Sequence, residues 1–265
     1  MKALVTLSFL FLSLALHGQE IIDNKATIRA EYEFLYKTDP GSTKYSSDLL
    51  SLDICESGQS FFYSRNQAYR DSVKRVCLQE GLSPYETMGK IRRLPTGAGW
   101  IVNKHFKNNK YRYIHKMIKS YSAEFDLVIP LWSLLPDTLT INGFFCRKAT
   151  ASFLGRSWIA WFTPQIVSND GPWMLWGLPG LIIKATDSDN YFSFTCVDAG
   201  KLPEPYYVSV TSDFYATRQI SFQQMLNLEK MYNTDVDSYI EQVAGARKMG
   251  ERNNKRKYIP LAVKH

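Results

Sequence analysis

Residues 99–129 read GWIVNKHFKNNKYRYIHKMIKSYSAEFDLVI. Three apolar and aromatic segments, 99–106, 110–118 and 122–129, follow one another with only short polar breaks. Lys107–Asn108–Asn109–Lys110 has the composition of a hairpin turn. Strands spaced this closely leave no room for crossover helices, so the sheet they build is antiparallel. The pattern continues upstream. Ala26, Ile28, Ala30, Tyr32, Phe34 and Tyr36 alternate with Thr27, Arg29, Glu31 and Glu33, which is the period of a half-buried strand. Leu50, Leu52 and Ile54 mark a second strand, Glu56–Ser57–Gly58 a turn, and Gln59 to Ser64 a third strand. Between this hairpin and residue 99, Tyr69, Val73, Val76, Cys77 and Glu80 share a helical face that stops at Gly81, with Pro84 beyond.

Downstream, Pro130, Pro136 and Asp137 interrupt the pattern. Strands are then expected at 138–152 and 156–163, joined around Gly155, and again at Leu181–Ala185 and Tyr191–Val197. From about residue 219 the chain turns helical. Phe222, Met225, Leu226 and Met231 predict one helix. Thr234–Asp235 caps another that carries Val236, Tyr239, Ile240, Val243 and Ala244 on its apolar face. The expectation is a mainly β, α+β fold: an antiparallel curved sheet or incomplete barrel with a mid-chain helix and C-terminal helices.

Composition agrees with a packed globular chain. Of 265 residues, 45% are hydrophobic, 22% charged and 14% aromatic. These values exclude disorder, collagen and coiled coil as descriptions of the whole chain. No repeat or linker divides it. Residues 1–18 read as a signal peptide: Met1–Lys2, an apolar run from Ala3 to Leu16, and cleavage after Gly18. No cysteine follows for a lipid anchor. The remainder, 19–265, reads as one exported domain of the periplasm or cell envelope with no membrane span. The net charge of +7 falls to +6 without Lys2 (7 − 1). Much of the excess lies in Arg247, Lys248, Arg252, Lys255, Arg256 and Lys257, which read as a solvated end. An exported chain has no nucleic acid to meet, so nucleic acid is not expected as a partner.

The chain lacks GxSxG, a phosphate loop, GxGxxG, HExxH and CxxC. His105, His115 and His265 remain after the leader. The first two lie on neighbouring strands that bring them face to face in one reading, without the carboxylates a metal site needs. No metal and no cofactor are expected. Cys146 has Arg147 and Lys148 beside it, but on a strand Arg147 points away, so Cys146 reads as structural rather than as a nucleophile. Cys55, Cys77, Cys146 and Cys196 allow three full disulfide pairings or none.

The most unusual region is 143–185, which holds Trp158, Trp161, Trp173 and Trp176. These tryptophans either plug one end of the sheet or form the aromatic wall of a ligand cleft. Gly177 and Gly180 bracket Pro179 in a tight bend. Gly180→Val should therefore destabilise the fold, and Trp161, Leu178, Leu181 and Ile183 should be buried.

The hexapeptide Gly177-Leu178-Pro179-Gly180-Leu181-Ile182 resembles the signature of the GLPGLI family. Cys146-Arg147-Lys148-Ala149, Trp158-Ile159-Ala160-Trp161-Phe162-Thr163 and Gly171-Pro172 resemble its neighbouring blocks, so the similarity is strongest over 143–200. The resemblance implies an exported cell-envelope protein of Bacteroidota type with no established activity. It makes no residue catalytic and leaves the motif residues architectural. The function expected is a non-enzymatic binding module for an apolar ligand or an envelope partner. The alternatives are an adaptor of an outer-membrane transport or secretion system and an envelope hydrolase.

Overall fold

A computed structural model describes residues 24–208, 217–245 and 256–263. The leader 1–18, its cleavage site, Arg247, Lys248, Arg252, Lys255 and His265 lie outside the described residues.

The strands are β1 (Lys25–Tyr36), β2 (Ser46–Cys55), β3 (Gln59–Ser64), β4 (Trp100–His105), β5 (Lys110–Lys116), β6 (Ser120–Asp126), β7 (Ser133–Ile141), β8 (Phe144–Phe153), β9 (Arg156–Thr163), β10 (Leu181–Asp187), β11 (Phe192–Tyr207) and β12 (Arg218–Gln219). The helices are α1 (Arg65–Gln79), α2 (Pro84–Ile91), α3 (Phe222–Thr234) and α4 (Val236–Ala244). All the strands form one open sheet in the order β12-β6-β5-β4-β3-β2-β1-β11-β10-β9-β8-β7. Apart from β12, which pairs parallel with β6 at one edge, it consists of two meanders, β1–β6 and β7–β11, joined where β1 pairs antiparallel with β11.

This order requires curvature. β6 and β7 stand ten places apart, which is about 48 Å across a flat sheet. The chain from Asp126 to Ser133 can span only about 25 Å. The sheet therefore curls until its two ends approach, while β6 and β7 remain unpaired. The curl wraps the core. Ala30, Leu52, Phe62, Val102, Tyr113 and Ala123 are register partners across β1 to β6, and all are buried. Phe194, Ala185, Ala160 and Ala149 continue the inner face across β11 to β8. The three alanines leave depth there for large side chains from elsewhere in the chain.

Four elements differ from the sequence reading. The single strand expected at 138–152 is two, β7 and β8, turning at Asn142 (φ 48°) and Gly143 (φ 85°). Asn-Gly is the dipeptide that a two-residue hairpin with positive φ favours. Pro136 and Asp137 lie inside β7 rather than ending it. β7 is an edge strand, and the register shifts between Leu134 and Thr138, so no ladder bond is lost to proline. β11 runs ten residues past Val197 to Tyr207. Its register with β1 jumps from Lys201 to Tyr206 while β1 moves only from Ile28 to Ala26, so Pro203 and Pro205 bulge outward where no N–H is needed. The mid-chain helix is a pair. Pro84 starts α2 rather than only following α1, with Ser83 and Glu86 closing a capping box.

The C-terminal helices match the expectation, and Asp235 caps α4 by accepting from Ser238 N at 3.1 Å. Arg256 and Lys257, the described part of the basic end, are exposed as expected, but the residues after them pack against the sheet. Ile259, Leu261 and Ala262 are buried, and Val263 N donates to Leu154 O at 2.8 Å. Arg156 donates to the carbonyls of Pro260 and Leu261. No helix among the described residues is long and apolar enough to cross a membrane.

Candidate functional site

The Trp-rich segment after β9 turns inward onto the core. Trp173, Met174, Leu175, Trp176 and Leu178 are all buried. Three strands clamp its backbone. Lys104 of β4, 0% exposed, donates to Asp170 Oδ1 and to the Gly171 carbonyl at 2.7 Å. Tyr111 of β5 donates to Met174 O at 2.8 Å, and Tyr32 of β1 to Ile182 O at 2.7 Å. Burial pushes the Lys104 ammonium down, an effect that Asp170 partly offsets. Neither Lys104 nor Tyr111 stood out in sequence. The signal available was a lysine in register with the buried positions Trp100 and Val102.

The hexapeptide forms the bend. Gly180 has φ 149°, and a Cβ there would lie 2.1 Å from Thr163 O. Gly177 has φ 93°, with Ile129 Cγ2 2.5 Å from where a Cβ would be. A Cβ on Gly171 would meet Ile182, and Pro172 accepts from Leu175 N at 3.0 Å. Leu181, Ile182 and Ile183 begin β10, fully buried. Pro179 links the two glycines on the exposed side of the bend. Of the four positions expected in the core, Leu178, Leu181 and Ile183 are buried, whereas Trp161 is only half-buried. It lies on the face of β9 opposite Trp158, with the Lys148 ammonium 5.6 Å from its ring centre. Trp158 lies 5.9 Å from Trp173 with the two rings tilted by 39°, and Trp176 lies 5.2 Å from Phe106.

His105 and His115 do not meet. His105 is in register with Lys110 and His115 with Trp100, at opposite ends of the β4–β5 hairpin. His115 Nδ1 instead lies 3.7 Å from Glu229 of α3, which also accepts from Tyr258 at 2.7 Å and Tyr113 at 3.5 Å. Burial pushes the Glu229 carboxyl up, but His115, Tyr258 and Tyr113 together outweigh it and hold it below the usual carboxylate range. No disulfide joins Cys55, Cys77, Cys146 and Cys196, and all four are buried. Burial pushes the Cys146 thiol up to about 11 and the Cys196 thiol up to about 12, the opposite of an activated thiolate. Among the described residues no group of three His, Cys, Asp or Glu could hold a metal ion.

The concavity of the molecule lies on the other face of the sheet. A cleft of about 260 Å³ opens between α1, the outer face of β3 and β4, and the end of β11. Phe61, Tyr63 and Ile101 form its floor, and Tyr206, Tyr207 and Val208 one wall. Gln67, Asp71 and Arg75, four residues apart along α1, form the other with Ala68 and Ser72. None of Trp158, Trp161, Trp173 and Trp176 lines it.

The cleft is backed by a polar cluster. Arg29 Nε and Nη2 grip Asp53 at 2.8 and 3.1 Å, and Tyr63 donates to Asp53 at 2.8 Å. The Arg29 guanidinium lies 4.8 Å from the Tyr206 ring centre. These contacts fix both tyrosine rings. Within the cleft, Asp71 accepts from Gln67 at 2.9 Å and pairs with Lys116. Arg75 has no ion-pair partner among the described residues, and the Tyr206 hydroxyl is buried without a hydrogen-bond partner.

Fold and site together define a curved antiparallel sheet whose inner face is packed and whose outer face carries an aromatic cleft. A family model described as "Protein of unknown function (Porph_ging)" matches residues 155–184, which span β9, the inward segment and the bend into β10. No curated protein matches the chain. Two crystal structures of PNGF-II, in different space groups, share the fold with TM-scores of 0.50 and 0.51 at 13% and 12% identity. The likeness covers 75% and 76% of this chain, which spans about a third (32%) of the length of those structures.

Proposed function

We propose that this chain is an exported cell-envelope protein of the GLPGLI family that acts as a non-enzymatic binding module for a small, largely apolar ligand. The outer-face cleft carries the reading, because it is a mostly apolar concavity with a few fixed polar groups, the usual composition of a small-molecule site. Its volume of about 260 Å³ sits just below the range of roughly 300–1,000 Å³ common to such sites, which suits a short chain or a single ring system. Family membership is supported by the hexapeptide at 177–182, which falls inside the matched residues 155–184. Export is supported by the leader-like start at 1–18.

The test is native mass spectrometry of the protein purified from an envelope fraction, followed by solvent extraction. A reproducible extra mass is expected on the wild type and not on Ala68→Phe, which fills the cleft from α1. Bare wild-type protein, or an adduct that Ala68→Phe retains, counts against a ligand in this cleft.

A further inference from the structure

We propose that the outer-face cleft takes a small amphipathic carboxylate, with its apolar body on Phe61, Tyr63, Ile101 and Val208 and its carboxylate against Arg75. The proposal rests on the reading of the cleft as a ligand site and adds the chemistry of the ligand.

The charges decide it. Asp71 is the acidic side chain lining the cleft, and its two oxygens are already taken by Gln67 and Lys116. A cationic ligand would have to displace Lys116 and leave that ammonium unpaired. A neutral ligand would leave the Arg75 guanidinium without an ion-pair partner among the described residues. A carboxylate supplies one. The planar guanidinium of Arg75 presents paired N–H donors that match two carboxylate oxygens. The Tyr206 ring, held by Arg29, forms the opposite wall. With Lys116 neutralised by Asp71, a single cation remains among the described lining residues, which fits a monoanion better than a polyphosphate. The floor of Phe61, Tyr63 and Ile101 is apolar along its length and suits an acyl chain or an aryl ring.

The probes are octanoate, 1-octanol and octylammonium, titrated calorimetrically at neutral pH into the purified protein and its variants. Octanoate should bind about tenfold more tightly than 1-octanol, the low end for hydrogen bonds to a charged group because Arg75 stands at an exposed mouth. Octylammonium should bind more weakly than either. Arg75→Gln should bring octanoate to the level of 1-octanol and leave 1-octanol unchanged, and Ala68→Phe should abolish both. A thermal melt checks that each variant is folded. Equal binding of octanoate and 1-octanol, a preference for octylammonium, or an octanoate preference that survives Arg75→Gln overturns the carboxylate while leaving the cleft a ligand site. Failure of all three probes on folded wild-type protein overturns the ligand site and the carboxylate together.

Discussion

β3 and β4 serve two environments at once. Phe62, Val102 and Lys104 point inward, where Lys104 meets Asp170 and the segment around it is clamped from three strands. Phe61, Tyr63 and Ile101 point outward, where among the described residues the neighbouring Arg75 has no ion-pair partner and the Tyr206 hydroxyl no hydrogen-bond partner. Alternation along a strand makes this division possible, since successive side chains take opposite faces. The inner face spends Lys104, Tyr111 and Tyr32 on Asp170 and on backbone carbonyls, and so specifies a single arrangement of the 169–180 segment. The outer face keeps the Arg75 guanidinium out of any ion pair among the described residues, which suits the binding role proposed for the cleft. Part of that face is also closed: Asp53, fully buried, is held by Arg29 and Tyr63 and serves to fix the cleft rather than to meet a ligand.

The contrast makes unequal demands on stability. The largest effect is expected at the inner pair. Lys104→Met leaves Asp170 buried without its cation and should cost about 3–5 kcal/mol in urea unfolding. A loss under about 1 kcal/mol would mean that the inner clamp is no tighter than a surface pair. Next is Gly180→Val, which forces a branched side chain onto φ 149° against Thr163 O. About 3 kcal/mol is expected from backbone strain and collision together. Gly143→Ala is the control, since its φ of 85° is also positive but nothing lies within 4 Å of the added Cβ. If both variants melt alike, the bend is not the close approach described.

Smaller again is Glu229→Gln, which weakens the junction between β5, α3 and the chain end by about 1.5–3 kcal/mol at neutral pH. Its pH dependence has a definite sign. The folded carboxyl is held below its usual value, so its contribution is present above the unfolded carboxylate range and is lost as pH falls through the folded value. Wild-type stability should therefore fall in acid more steeply than that of Glu229→Gln, and matching acid limbs would show that Glu229 is not the group responsible. On the outer face, Arg75→Gln should stay within about 0.5 kcal/mol of wild type, which is why it serves as a binding variant.

How much of this was legible follows from the range of each interaction. The β4–β6 meander, the β2–β3 hairpin, both C-terminal helices and the bend at Gly180 were readable because period, turn residues and caps act over a few residues. Asn142–Gly143 and the Ser83–Glu86 box are equally local, but each lies inside or beside a longer apolar pattern that masks it. Lys104 with Asp170 was not legible, because the partners are 66 residues apart and a lysine on a strand ordinarily reads as solvated. The cleft was less legible still. Its walls come from α1, two strands and the end of β11, and β11 was expected to stop at Val197, ten residues before Tyr207. The tryptophans drew attention because they are rare and clustered, yet their number says nothing about which side of the sheet they face.

By itself the sequence determined an antiparallel, mainly β chain with a helix in the middle and helices at the end, and a glycine bend that only small residues allow. Those features rest on backbone sterics and side-chain periodicity, which each short segment carries with it. Tertiary structure alone decided that β1 and β11 join the two meanders, that the tryptophan-rich segment turns inward, and that the open site lies on the opposite face. These outcomes depend on which distant groups can share burial and hydrogen bonds once the sheet has curled, and no local stretch of sequence encodes that choice.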